Sequence, residues 1–353
     1  KKLLRKFILF LFNESFFFDD QAKPIKKLNN KFLNLKPFKK YSFGQKNKNK
    51  SFLVINRSPG AGIFSNVTFV INYFLYSKKR DLIPMVDMEN FPTIYNEKNK
   101  INYTLNAWEY YFQNLNKYKL KDIYKSKNVY FTDSNFIKGM HLDINTNNLR
   151  KNFRIIKIKK QLLKKEKNYY DKNFLKTDKI LGVHFRGSTY KTARGHAFPP
   201  TIKIMKEEIK KVLNEYNYNK IFLVTEETEY LREIKKEFGN ICYYYNSFRM
   251  NKLDSFKIYP RKNHRYKLGE ETIIETLTLS KCDGLIFIKS NVISAAINLS
   301  KKKNTIFFTM SNDTKNLLST IIHSKYIYSN NFFENLKIPN KPKNIFGFFF
   351  RNY

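Results

Sequence analysis

Cysteine is nearly absent: the 353-residue chain carries two, Cys242 and Cys282. Both sit in apolar segments without metal-type spacing. That excludes a disulfide framework and a Cys-rich zinc site, and reads as small core residues in a reducing compartment. Long apolar runs are missing as well. The stretch Phe7–Phe12, after the basic Lys1–Lys6, is far short of the roughly 20 residues that cross a bilayer. No small-residue cleavage site follows it, so a peripheral membrane contact or a packed first strand is expected. The motifs GxxxxGK(S/T), HExxH, GxSxG and CxxC are absent, as are an Asp/His cluster and a loop-borne D-x-D. Chemistry without a metal or a resident cofactor is the expectation. Acid is scarce too, with 29 Asp and Glu against 67 Lys and Arg, a net charge of +38. Such a field attracts nucleic acid, anionic membranes or phosphorylated substrates. Lys and Asn crowd the whole chain, however, as an AT-rich genome would produce, so charge alone assigns no function.

What is present is a chain able to build cores, 42% hydrophobic and 17% aromatic. Its length suits two domains of roughly 150 residues, and its composition is not that of a disordered protein. Residues 1–50 read as a basic, aromatic leader, 51–170 as a first α/β domain, 171–330 as a second, and 331–353 as a tail. In the first domain, Phe52–Asn56 is a buried strand running into a loop with Gly60 and Gly62, which permit positive φ or close backbone approach. Apolar spacing predicts a helix over Phe64–Ser77, and Ile83–Val86 is the next strand. A basic helix is expected over Phe153–Lys167. From Lys179 onward strands and helices alternate: strands at Ile180–Arg186, Ile221–Thr225, Ile241–Tyr245, Leu285–Ile288 and Thr305–Thr309, helices at Ile202–Tyr216, Glu229–Phe238, Glu270–Ser280 and Val292–Leu299. This alternation argues for a parallel, doubly wound sheet, hence an α/β chain of two Rossmann-like domains.

Ligands of open parallel sheets bind beyond the carboxyl ends of the strands. At the first such end of the second domain, strand periodicity puts His184 and Arg186 on one face, with Gly187 next. Arg186 carries a permanently charged planar fork suited to phosphate, or equally to a carboxylate partner at a strand end. His184 either orients it or meets the ligand. Thr225 and Glu226 end the next strand, where they accept hydrogen bonds from a ribose or base, or cap the following helix. Ser290 and Asn291 open a helix whose start is a phosphate seat, an ordinary N-cap, or both.

At these residues the sequence resembles the fucosyltransferase superfamily, which includes the nodulation, α-1,6- and protein O-fucosyltransferases. The segment His184–Tyr190 is similar to the family's His-x-Arg motif. Leu279–Asp283 with Ser290, Asn291 and Ser294 is similar to its later donor motif. Upstream, Ser58–Asn66, Val86–Thr93 and Asn106–Phe112 resemble the first domain of bacterial members found among surface-polysaccharide genes. The resemblance spans roughly Phe52 to Thr309. It implies a GT-B-like fold, two Rossmann-like domains facing across a cleft, with GDP-fucose as donor, inversion at the sugar carbon and no metal. It also implies that Arg186 binds the β-phosphate while Ser290, Asn291 and Ser294 hold phosphate oxygens. Gly60, Gly62, Asn66, Asp87, Glu89, Trp108 and Glu109 fall in the upstream segments, on the acceptor side. Asp87, Glu89 and Glu109 are candidates for the base, Glu89 first among them.

One position departs from the pattern: Thr189 stands where the family carries an acidic residue. If that carboxylate orients the arginine in relatives, another group must do so here. The acceptor is expected to be a glycan or lipid-linked glycan, and the protein to be cytoplasmic, with peripheral contact at the anionic inner face of the membrane. The competing readings are transfer from another nucleotide sugar, an inactive carbohydrate-binding relative, and a basic nucleic-acid-binding protein. The last leaves the alternating strands and the placed His184/Arg186 pair unexplained, so nucleic acid is not the expected partner.

Overall fold

The structure, a computed structural model, describes residues 22–134, 152–187, 200–250, 254–302, 304–312 and 346–352. The leader segment Phe7–Phe12 and Thr189 lie outside the described residues. By its contacts the chain forms two units: Ala22–Lys165 with Tyr259–Ile273, and Glu166–Ile258 with the chain from Ile274 onward. Both are α/β with parallel strands, the fold class the sequence predicts.

The first unit holds β1 (Lys46–Ile55), α1 (Ile63–Lys78), β2 (Ile83–Val86), the short helices α2 (Trp108–Tyr111) and α3 (Leu120–Ile123), and β3 (Ser126–Phe131). Its sheet runs β2-β1-β3, with both neighbours parallel to β1. Strand β1 changes character along its length. Its Lys/Asn-rich start is exposed, whereas Phe52–Ile55, apolar at every position, is buried between two neighbours, as a central parallel strand requires. Strand β3 was not apparent from the sequence. Its buried residues Val129 and Phe131 alternate with polar ones inside a Lys-rich stretch, so the period-two signal covers too few positions. One face of the sheet packs on a cluster of Phe32, Phe91, Val129 and Phe131, with Phe43 and Tyr124 against it.

The second unit contributes β4 (Ile180–His184), α5 (Ile202–Tyr216), β5 (Lys220–Val224), α6 (Thr228–Phe238), β6 (Cys242–Tyr243), β7 (Gly284–Phe287), α8 (Asn291–Leu299), β8 (Ile306–Asn312) and β9 (Phe346–Asn352). Two further helices, α4 (Lys160–Asn173) and α7 (His264–Leu279), begin in the first unit and end in the second. The sheet order is β6-β5-β4-β7-β8-β9; all neighbours are parallel except the final β8–β9 pair. Local chemistry sets the helix ends. Thr201 caps α5 by accepting from the Ile204 N–H, and Asn217 closes it in the left-handed region at φ 54°, a conformation Asn tolerates. From β4 the chain winds outward through β5 and β6, then returns to the other side of β4 with β7 and β8. The order therefore reverses between β4 and β7, and their carboxyl ends flank the switch point at which open α/β sheets bind ligands.

Beyond β3, the final strand β9 falls within the expected tail, β1 starts at Lys46 rather than Phe52, and other elements are shifted. The basic helix α4 starts at Lys160 rather than Phe153. Strand β6 pairs over two residues only. Helix α7 begins at His264, a turn and more before the predicted Glu270. Gly269 reads as a breaker in sequence, yet it lies within α7 for a packing reason. A Cβ there would stand 2.4 Å from the Tyr111 hydroxyl oxygen. That hydroxyl donates to the Tyr266 carbonyl at 3.0 Å, and the Tyr111 and Tyr266 rings stack at 5.6 Å. The Tyr266 N–H donates to the Glu97 carboxylate at 2.9 Å, and Arg265 donates to the Ile94 carbonyl at 3.0 Å. These bonds group residues 259–273, which sit inside the expected second domain, with the first unit instead.

Gly269→Ala is a test of that packing. In an open helix the change would stabilise by about 1 kcal/mol; here overpacking against buried Tyr111 outweighs it, giving net destabilisation of about 1–2 kcal/mol. Urea unfolding measures it, and a stabilised variant would show that the Tyr111 contact is not made.

Candidate functional site

The exit of β4 carries the residues singled out in the sequence. His184 is the last residue of the strand and is 2% exposed. Burial, reinforced by the Arg186 charge, pushes its imidazole down to about 3 against the lift of a hydrogen bond with the Ile288 backbone. His184 is therefore neutral at working pH and ties the β4 exit to the β7 exit. Its Nδ1 is buried with no hydrogen-bond partner among the described residues, and such an atom is rarely left unsatisfied without a reason. Phe185 follows, its N–H bonded to the Val224 carbonyl at 2.9 Å and its ring stacked on Tyr230 at 3.9 Å. This fixes the main chain just before Arg186.

Arg186 is partly exposed, and its Nε lies 3.4 Å from Glu226 Oε1. The same carboxylate oxygen accepts the Gly187 N–H at 3.1 Å. A side chain at Gly187 would collide with the buried Glu227, whose Oε1 would be 2.2 Å from a Cβ. Glycine is needed here for close approach, not for a special φ.

The β5 exit is braced from behind by residues that sequence reasoning missed. Arg249, with 6% of its side chain exposed, donates from Nε to the Thr225 carbonyl at 3.1 Å, from Nη1 to the Ser247 carbonyl at 2.8 Å and from Nη2 to the Tyr245 carbonyl at 2.9 Å. Its charge is met by Glu275 at 3.3 Å, which also accepts from the Ser247 hydroxyl at 2.6 Å. The Met250 N–H completes the clamp on the Glu226 carbonyl at 2.9 Å. The one signal in the sequence was that Arg249 is arginine in a chain where Lys greatly outnumbers Arg; a multi-pronged buried site needs the guanidinium fork. Thr225, read as a ligand contact, is instead buried, with its hydroxyl oxygen accepting the Glu227 N–H at 3.2 Å. It shapes the start of α6.

Beyond β7, Ser290 is the N-cap of α8, its Oγ accepting the Ile293 N–H at 3.2 Å. Lys289 and Asn291 are exposed on either side. The first backbone N–H groups of α8 have no carbonyl to meet within the helix, and the positive end of its dipole adds to them. Ser294 sits one turn in, buried, its N–H bonded to the Ser290 carbonyl at 3.0 Å, so only its hydroxyl remains to serve a ligand. His184, Arg186, Gly187 and the α8 start thus gather around one switch point, an arrangement suited to a phosphate. Among the described residues no group of three or more His, Cys, Asp or Glu is placed to hold a metal ion.

In the first unit, several predicted acceptor-side residues turn out to be braces. Gly60 adopts φ +75° after a cis Ser58–Pro59 bond, whereas Gly62 has a negative φ and simply precedes α1. The buried Asn66 side chain holds that loop, bonding the Ala61 N–H and carbonyl at 3.1 Å each. Trp108 is 1% exposed, packed on Phe112 at 4.4 Å; the reading of it as an acceptor contact is corrected to a core residue. Asp87 is likewise corrected as a candidate base. It is fully buried, and its oxygens accept from the Glu89 and Asn90 N–H groups, the Asn90 side chain and the Tyr124 hydroxyl. Such a carboxylate organises the 87–90 turn and reaches no substrate. Glu89 is exposed on that turn. Partial burial of its carboxyl, then the nearby Asp87 and Glu109, raise its pKa against the pull of Lys26 and Lys100, the direction that suits a base. Glu109 accepts from the Thr104 hydroxyl at 2.8 Å.

No protein-family model and no curated protein sequence matches the chain. In structure it is similar to the α-1,6-fucosyltransferase NodZ soaked with GDP-fucose, with 15% identity over 73% of this chain and 95% of that one and a TM-score of 0.46. It is also similar to an Arabidopsis thaliana FUT1 mutant in complex with GDP, with 11% identity over 76% of this chain and 72% of that one and a TM-score of 0.43.

The depressed His184 pKa has a pH signature. Its folded value of about 3 lies below the ordinary unfolded value of 6.5, so its contribution to stability is present above that unfolded value and is lost as pH falls toward 3. Between those limits wild type should lose up to about 1.4 kcal/mol per pH unit more than His184→Gln. Denaturant titrations at a series of pH values measure the difference; parallel curves would contradict the buried neutral imidazole.

Proposed function

We propose that the chain is a glycosyltransferase that transfers fucose from GDP-fucose to a hydroxyl of a glycan or lipid-linked glycan, with inversion and without a metal. The observation that carries this reading is the convergence at the β4/β7 switch point. A guanidinium held by a carboxylate, a buried neutral histidine with an unsatisfied nitrogen, and the start of α8 occupy the place where a doubly wound sheet takes a nucleotide. The resemblance of His184–Tyr190 and of Ser290, Asn291 and Ser294 to fucosyltransferase motifs selects the donor.

In this reaction the acceptor oxygen attacks the anomeric carbon, the bond from that carbon to the β-phosphate oxygen breaks, and GDP departs with the electron pair. Negative charge grows on the diphosphate as the bond breaks. Arg186 and the α8 N–H groups therefore stabilise the transition state more than the ground state, which is what raises the rate. Being held before substrate arrives, they need no reorganisation during the reaction. Glu89 is the carboxylate assigned to take the acceptor's proton, since Asp87 is buried and Glu109 is engaged by the Thr104 hydroxyl, whereas Glu89 is exposed. Among the described residues no helix is long and apolar enough to cross a membrane; the basic surface offers the attraction for peripheral contact with an anionic inner leaflet.

A thermal-shift panel of nucleotides and sugar nucleotides tests the donor. Free GDP or GDP-fucose at 100 times Kd should stabilise the protein by about 2.7 kcal/mol. A response confined to uridine nucleotides would move the assignment to another nucleotide sugar, and no response to any would refute it. With transfer measured, Arg186→Ala should lower kcat by about 10²–10³-fold while the apo protein keeps its Tm.

A further inference from the structure

We infer that Glu226 is a positioning residue for Arg186, supplying from the end of β5 the carboxylate that residue 189 does not provide. The inference rests on the diphosphate reading of Arg186. A strand-end acid has two possible jobs in such a site: to accept from the ribose or base, or to orient a cation. The geometry favours the second. Glu226 Oε1 lies 3.4 Å from Arg186 Nε and accepts the very next N–H, that of Gly187, at 3.1 Å. One oxygen thus restrains both the side chain of Arg186 and the main chain immediately after it. At 3.4 Å the contact acts through charge rather than hydrogen-bond geometry at Nε, so the carboxylate biases where the guanidinium sits.

Glu226 is itself well placed to act as a fixed point. Its carbonyl is held by the Met250 N–H, and the carbonyl before it by Arg249. Arg249 in turn is neutralised by Glu275. The support runs through buried groups from α7 to the β5 exit and across to the β4 exit, all within the second unit. Both members of the Arg186–Glu226 pair are about a quarter exposed, so the pair adds little to stability. Its effect lies in holding the arginine before the ligand binds, which lowers the ordering cost of binding.

Calorimetric Kd values for GDP and GMP across wild type, Glu226→Gln, Arg186→Ala and the double variant test this. GMP lacks the β-phosphate but keeps the ribose and base. A positioning Glu226 predicts that Glu226→Gln weakens GDP roughly tenfold, through lost preorganisation of the arginine, and leaves GMP unchanged. The double variant should then bind GDP no more weakly than Arg186→Ala alone. Equal weakening of GMP and GDP by Glu226→Gln would make Glu226 a ribose or base contact and overturn the inference, as would GDP binding unaffected by Glu226→Gln. Wild-type GDP affinity in Arg186→Ala would instead refute the diphosphate reading on which it rests. If Glu226→Gln does not fold, Glu226→Asp, which keeps the charge but withdraws it, is expected to show the same loss for GDP alone.

Discussion

Strand β4 is buried along all five residues and hydrogen-bonded to a parallel neighbour on each side. Its exit cannot shift without disturbing two ladders at once, and the stacking of Phe185 on Tyr230 extends that rigidity one residue further. Everything assigned to the site follows from this fixed exit. His184 reaches the β7 side, Arg186 meets the β5 side, and Gly187 is compressed against Glu227. An arginine on a freely moving loop would have to be ordered by any ligand it met; here the sheet has already placed the Arg186 backbone.

The polar groups around that exit divide by burial. His184 is fully enclosed and stays neutral, so it adds shape and a hydrogen-bonding nitrogen without competing charge. Arg249 and Glu275 are also enclosed, and they cancel one another while pinning three carbonyls. Arg186 and Glu226 sit further out, where solvent screens them and a ligand can reach. The gradient from a neutralised interior to a partly exposed cation is what a phosphate grip needs, because a buried unpaired arginine would be costly and a fully exposed one weak. The first unit shows a parallel arrangement at β2. The buried Asp87 spends its oxygens on the turn, and that turn carries the exposed Glu89 outward.

The second unit's architecture was largely legible in the sequence because each strand is short, apolar and followed by an amphipathic helix. Strand periodicity and helix-start chemistry also located His184, Arg186 and Gly187 at a strand exit and Ser290 at a helix start, where the structure has them. What the sequence could not show is pairing between distant positions. Glu226 lies 40 residues from Arg186 along the chain, and nothing local distinguishes a carboxylate that orients an arginine from one that caps a helix. Arg249 and Glu275 are hidden for the same reason. Trp108 and Asp87 misled because residue type suggests sugar stacking or proton transfer while burial forbids both. Strand β3 and the early start of α7 were obscured by Lys-rich composition and by a helical glycine whose justification, Tyr111, is far away in the chain.

The most direct measurement is a crystal structure of the protein with GDP bound. The diphosphate is expected at the β4/β7 switch point, its terminal phosphate within hydrogen-bonding distance of the Arg186 guanidinium and of the first N–H groups of α8. A nucleotide seated on the Gly60 loop of the first unit, or one at the switch point with its phosphates turned away from Arg186, would contradict it.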